Sequence, residues 1–202
     1  MNGIFVTGIG TDVGKTWVSA CLCHHLKYAY FKPIQAGTLP NTDSQRILHY
    51  APHTTIVMER HVLKMPASPH YAAAEEGVEI ELSDFEWPSV DSPILVEGAG
   101  GPLVPINSKD MVIDIAVKFN LPVVLVVRHY LGSINHTLCA VEAIERRGLN
   151  IAGLVISGAE HKPSEEVILS VTGVPILARL NEVKNEDLNP ENHWTWVNKE
   201  LI

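Results

Sequence analysis

The chain has 202 residues, 46% apolar and 19% charged, with a formal net charge of −8. Such a length and balance predict one soluble globular domain with a substantial core, and the negative charge argues against an extended nucleic-acid or anionic-membrane surface. No apolar run approaches the roughly 20 residues of a membrane span, no basic-then-apolar leader opens the chain, and Cys21, Cys23 and Cys139 are too irregularly spaced for a disulfide framework, so a reducing cytoplasm is expected.

In chain order, Ile4–Val6 reads as a short apolar strand, and the loop Thr7-Gly8-Ile9-Gly10-Thr11-Asp12-Val13-Gly14-Lys15-Thr16 follows it. The common phosphate loop has a glycine, then four residues, then Gly-Lys-Ser/Thr. Here that position is Ile9, so the loop is one residue longer, and Gly8 and Gly10 are expected to absorb the insertion. Val18, Cys21, Leu22 and Leu26 then recur at helical spacing. A strand, a glycine-rich turn and a helix start together form an anion-binding concavity. Lys15 is placed to reach the β- and γ-phosphates, and the Thr16 hydroxyl to bind Mg²⁺.

A second strand, Tyr28–Phe31, ends in Lys32-Pro33, which puts Lys32 at the ligand edge of a parallel sheet, where it can neutralise a second anion. Leu39 to Pro88 is irregular and proline-broken, and is expected to form one or two helices and loops over the sheet. Within it, Asp43 reads on its own as a helix-capping residue. Strand Pro93–Val96 runs into Glu97 and Gly98-Ala99-Gly100-Gly101, so a carboxylate stands where a metal or its water would be held. Val112, Ile115, Ala116 and Phe119 form a helical stripe stopped at Asn120 before Pro122, and Ile134, Leu138, Val141 and Ile144 form another closed by Gly148. Val123–Val127, Ile151–Ile156 and Pro175–Ala178 read as further strands, apolar throughout as in sheets covered on both faces. The tail after Arg179 is expected to hold a small packed helix. The alternation predicts an α/β fold with a mostly parallel central sheet and helices on both faces. Cys21-Leu22-Cys23-His24-His25 invites a metal reading, but no matching pair follows at zinc-site spacing, and core packing is the expectation.

The loop, Tyr30-Phe31-Lys32-Pro33-Ile34-Gln35-Ala36-Gly37 and Val96-Glu97-Gly98-Ala99-Gly100-Gly101, in this order, resemble the dethiobiotin synthetase family, whose loop also has the extra residue. Further matches are Ser68–Gly77, Leu121–His136, Gly148–Ser157 and Asn189–Asn192, so the resemblance spans nearly the whole chain. It implies a single P-loop NTPase domain over residues 1–202 and an ATP-dependent cyclo-ligase that joins 7,8-diaminononanoate and CO₂ (or bicarbonate) into dethiobiotin, releasing ADP and phosphate. In that chemistry one amine forms a carbamate, a carbamate oxygen attacks the γ-phosphate, and the second amine closes the cyclic urea.

The resemblance further implies ATP contacts at Asp12, Val13, Gly14, Lys15, Thr16 and Ser157, with no role given to position 17. It implies Mg²⁺ ligands at Thr16, Asp43 and Glu97, catalytic roles for Lys15 and Lys32, and substrate contacts at Thr11, Asp12, Lys32, Ala36, Gly132, Ser133 and Asn135. The Gly132-Ser133-Ile134-Asn135 helix start would receive the substrate's far carboxylate from the neighbouring subunit of a homodimer. His70, in the matching Ser68–Gly77 segment, is a candidate for lining the substrate. Neither nucleic acid nor membrane is an expected partner. Lys15→Ala or Lys32→Ala is expected to remove most turnover and leave the fold intact.

Three departures bear on specificity. Ala36 stands where the family has Ser or Thr, Ser157 where an Asn reads adenine, and Asn181-Glu182-Val183 where Pro-Trp-Leu is common. Nucleoside triphosphate use without strict ATP selectivity is therefore expected. The alternatives are a switch ATPase of the partitioning or site-selection type, and a related P-loop amide ligase. The acidic balance and the lack of a terminal amphipathic anchor disfavour the first. The second usually carries a further glutaminase-like domain.

Overall fold

The computed structural model describes residues 2–184 and 187–202. From the N-terminus, strand β1 (Gly3–Gly8) leads through the loop into helix α1 (Lys15–Leu26), followed by β2 (Ala29–Phe31), β3 (Ile34–Ala36) and α2 (Asp43–Tyr50). Next come β4 (Ile56–Val57), β5 (His61–Leu63), α3 (Pro69–Glu75), β6 (Ile94–Glu97), α4 (Val112–Phe119) and β7 (Val123–Val127). The C-terminal part adds α5 (Ser133–Glu145), β8 (Ile151–Ser157), α6 (Lys162–Thr172), β9 (Ile176–Leu180), α7 (Pro190–His193) and β10 (Trp194–Trp196).

Eight strands make the main sheet in the order β10-β9-β8-β7-β1-β6-β2-β4, and β3 pairs with β5 apart from it. Every pairing in the main sheet is parallel except β9 with β10. β1 is central, with Phe5 opposite Val96 on one side and Val123 on the other. Successive residues Ile4 to Gly8 and all of β7 are buried. Because strand side chains alternate between faces, both faces of these strands are covered. Each fully buried Val, Leu or Phe contributes about 1.5–3 kcal/mol relative to exposure.

Because the strands run parallel, the carboxyl ends of β1, β2, β6, β7 and β8 lie along one edge, which brings Gly8, Lys32, Glu97, Arg128 and Ser157 to it. Helix boundaries follow local chemistry. α1 stops where Lys27 turns left-handed (φ 58°) and its N–H returns to the Cys23 carbonyl. α4 stops at left-handed Asn120, two residues before Pro122. α2 opens on a reciprocal cap, in which the Gln45 N–H donates to Thr42 Oγ1 and the Thr42 N–H to Gln45 Oε1.

The expected strands are all present, some shifted by a residue or two. The irregular stretch holds α2, α3 and a 3₁₀ turn at Leu82–Asp84, as well as the short strands β4 and β5; sequence reading resolves neither these nor β3 just before it. The tail differs in kind: its helix is only Pro190–His193, and Trp194–Trp196 forms a strand on the sheet edge. Edge pairing with β9 wins there, since Trp and Thr favour the pleated backbone. α6 also goes beyond the sequence reading, although Pro163 in its first turn and left-handed Gly173 after its end mark it.

Candidate active site

The loop between β1 and α1 bends at two left-handed residues, Asp12 (φ 57°) and Gly14 (φ 96°). This corrects the expectation that Gly8 and Gly10 would take the unusual angles. Gly8 is needed for space instead, since a Cβ there would sit 2.5 Å from Val13 Cγ2. Gly14 is needed for both reasons: beyond its φ, a side chain would run into Ser157 Oγ.

Lys15 begins α1 and folds back over the loop, its Nζ donating to the Gly10 carbonyl at 2.9 Å. Burial, and then the nearby Lys32 cation, pull its pKa down to about 8 against the attraction of Glu97, Asp43 and Asp12. The ammonium's hydrogen-bond partner is thus a neutral carbonyl rather than a carboxylate.

Thr16, Lys32, Asp43 and Glu97 converge from α1, the end of β2, the start of α2 and the end of β6. Thr16 Oγ1 lies 3.0 Å from Asp43 Oδ1 and 3.1 Å from Glu97 Oε1. Lys32 Nζ lies 2.7 Å from Asp43 Oδ2 and 2.9 Å from Glu97 Oε1, and donates to the Gly98 carbonyl at 3.1 Å. Burial alone would lower the Lys32 pKa, but Glu97 and Asp43 outweigh it and hold the amine firmly protonated. Burial would likewise raise Asp43, and Lys32 with the Thr16 hydroxyl reverses that and keeps the carboxyl below its ordinary value. Glu97 is 1% exposed, so it is no solvated strand-end acid.

Two carboxylates and a hydroxyl are the hard oxygen donors magnesium takes, with few protein ligands. The Lys32 ammonium already lies against both carboxylates, so the electrostatics of the set favour a cation. The donors fit magnesium.

These groups line a cleft of about 830 Å³ that also includes Thr11, Asp12, Gly14, Ala36, Thr38, Ser68 and Pro69. Val13, within the loop, is buried and outside the lining. Thr38, two residues from Ala36, presents a hydroxyl that accepts from Gln35 Nε2 at 2.8 Å. Ser157 packs under Gly14, and His70 stays exposed outside the lining. Gly132, Ser133 and Asn135 start α5 away from the lining of this chain's cleft. Cys21 and Cys23 are core residues whose thiol pKa values burial pushes up, while His24 and His25 dock the tail through Glu191 Oε1 (2.7 Å) and the Pro190 carbonyl (3.2 Å).

Sequence reading passes over four contributors. Ser19 donates to Glu97 Oε2 at 2.6 Å, and Gln35 Oε1 accepts the Asp43 N–H at 3.0 Å, which fixes the start of α2. Trp17 and Arg128 line the cleft. The one available signal was for Ser19, three residues beyond Thr16 and hence on the same face of α1.

The AAA-domain family matches residues 2–192. The ATP-dependent dethiobiotin synthetase BioD of Rhodopseudomonas palustris is 46% identical over 179 residues, covering 88% of this chain and 86% of that protein. The same enzyme from Cytophaga hutchinsonii is 44% identical over 184 residues, with 90% and 89% covered. Among solved structures, a ParA family ATPase from Chlorobium tepidum superposes with a TM-score of 0.55 over 92% of this chain and 87% of that one, at 10% identity. That likeness is one of fold, whereas the sequence identities over most of the chain are of another order. The chain belongs to the dethiobiotin synthetase family.

Proposed function

We propose that this chain closes a cyclic urea on 7,8-diaminononanoate, consuming CO₂ and Mg-ATP and releasing dethiobiotin, ADP and phosphate in the cytoplasm. The observation that carries this reading is the convergence of Lys15, Lys32, Thr16, Asp43 and Glu97 in one cleft beside the glycine loop. One amine of the substrate adds to CO₂ and loses a proton, giving a carbamate. A carbamate oxygen then attacks the γ-phosphorus and the bond to ADP breaks. The second amine attacks the carbamate carbon, and phosphate leaves with the oxygen that formed the anhydride.

The loop N–H groups and Lys15 hold the triphosphate tail. Lys32 brings a fixed positive charge to the place where carbamate and γ-phosphoryl charges meet, where preorganised cations act without reorganisation. Thr16, Asp43 and Glu97 would hold Mg²⁺, which when bound neutralises the β- and γ-oxygens. Thr11, Asp12 and Ala36 flank the diamine, and Ser157 supports the loop from below.

The substrate's carboxylate is taken by the α5 start, Gly132, Ser133 and Asn135, of a second subunit. Support for this comes from Leu131, fully exposed beside Gly132, and half-exposed Tyr130, an apolar tip that pairing would cover. A diamine lacking the terminal carboxylate then binds at least tenfold more weakly, and equal kinetics for the two substrates would contradict the assignment.

The reading is tested with ¹⁸O-bicarbonate over short times. One label per released phosphate is expected, because the anhydride oxygen comes from CO₂. Unlabelled phosphate would mean that water, not carbamate, attacks the γ-phosphorus.

A further inference from the structure

We infer that Trp17 is the platform on which the base of the bound nucleotide stacks, so that this chain recognises the base by its face rather than its edge. The inference rests on the reading that the triphosphate tail occupies the loop. Trp17 is the third residue of α1, two after Lys15, half-buried, and the one aromatic side chain among the described residues lining the cleft. Its Cε3 lies 3.9 Å from the point a Cβ on Gly14 would occupy, which sets the indole against the loop on the side where Ser157 packs.

That placement matters because of how a nucleotide must lie. The tail sits on the N–H groups of the loop and of the first turn of α1. The phosphate nearest the sugar is the one at the helix start, so the nucleoside leaves the loop along the wall that carries Trp17.

Ser157 gives edge recognition little to work with, and Arg128 in the cleft lining brings donors but no acceptor. Ser157, 4% exposed, offers one hydroxyl, and that hydroxyl is turned under Gly14 rather than across the cleft. A hydroxyl cannot supply the paired donor and acceptor that an amide presents to a base. An indole supplies a flat apolar surface instead, and every base has a π-face, larger in purines. Aromatic stacking is worth roughly 1–3 kcal/mol per base, about 5- to 150-fold in affinity.

The test compares wild type, Trp17→Ala and Trp17→Phe by calorimetric titration with Mg-ATP, Mg-GTP and magnesium tripolyphosphate, the last having a tail and no base. Trp17→Ala is expected to weaken ATP and GTP by about 5- to 150-fold and to leave tripolyphosphate within about twofold, with Trp17→Phe recovering most of the loss. Retained tripolyphosphate binding also reports that the variant is folded. Equal losses for ATP and tripolyphosphate, or no loss for either, would overturn the inference, the first by making the ring a mere support of the helix start. Wild-type protein that binds neither ligand would remove the phosphate-loop reading itself, an outcome distinct from both.

Discussion

Lys15, which the proposed function sets on the phosphates, weakens the nucleotide-free fold because its ammonium is buried. Folded, its ammonium releases its proton near pH 8, whereas in the unfolded chain it keeps it to about 10.5. Between those values the unfolded state binds more protons, so the stability of the nucleotide-free protein rises with pH across that window. Lys15→Met is therefore expected to stabilise the nucleotide-free fold at pH 7 by about 1–3 kcal/mol, with a gain that shrinks from pH 8 to 10.5, while nucleotide binding falls at least a hundredfold. Thermal melts across pH check the first part, and titration with Mg-ATP the second.

Lys32 behaves oppositely. Its removal strands the buried Glu97 and the part-buried Asp43, so Lys32→Ala is expected to lower stability by about 3–5 kcal/mol, contrary to the simple expectation of an intact fold. Millimolar Mg²⁺ should raise the melting temperature of this variant more than that of wild type. Equal shifts would mean that Asp43 and Glu97 do not form the metal site. The residue types of the site were legible in the loop and in the strand-end Lys32 and Glu97, but their mutual pairing was not. It depends on β2 and β6 being neighbours, a contact between residues 65 apart.

At the scale of elements, the long buried strands and α1, α4 and α5 could be read because their apolar spacing repeats over two or more turns or a full strand. β3, β4, β5 and β10 have two or three residues each, too few for any period, and exist through their partners. α6 misleads differently: Val167 and Val171 suggest an apolar face yet are exposed, and Ile168 is the buried one.

Besides Ile168, a charge cluster ties α6 to β9. Glu165 Oε1 accepts from Arg179 Nη1 on β9 at 3.1 Å and from the His161 N–H at 3.2 Å, and Glu165 Oε2 accepts from Arg179 Nη2 at 2.5 Å. His129 Nε2, just past β7, lies 3.2 Å from Oε1. Burial would raise the Glu165 pKa, but the Arg179 hydrogen bonds and the others overcome it and hold it below 4.5. The unfolded state therefore binds more protons in the acid range, and the cluster's stabilisation is complete above pH 4.5 and lost as pH falls through the lower folded value. Glu165→Gln should cost about 1–3 kcal/mol in urea melts at pH 7, and the gap to wild type should close on acidification.

For the molecule as a whole, the parallel sheet gathers five strand ends on one edge, and the proposed function leaves the far end of the substrate to a second copy. In that reading the receptor is the α5 start, which lies away from the lining of this chain's own cleft. Leu131→Asp, at the exposed tip before α5, is expected to shift the protein from dimer to monomer in sedimentation and to raise KM for the diamine at least tenfold, with Mg-ATP affinity unchanged. A monomeric wild type with full activity would contradict the shared site.

The most direct measurement of the central claim is phosphate release from Mg-ATP and bicarbonate, with and without 7,8-diaminononanoate, alongside mass detection of the cyclic urea. The account predicts phosphate and urea in equal amounts and almost no phosphate without the diamine. Steady hydrolysis that ignores the diamine and yields no urea would contradict it.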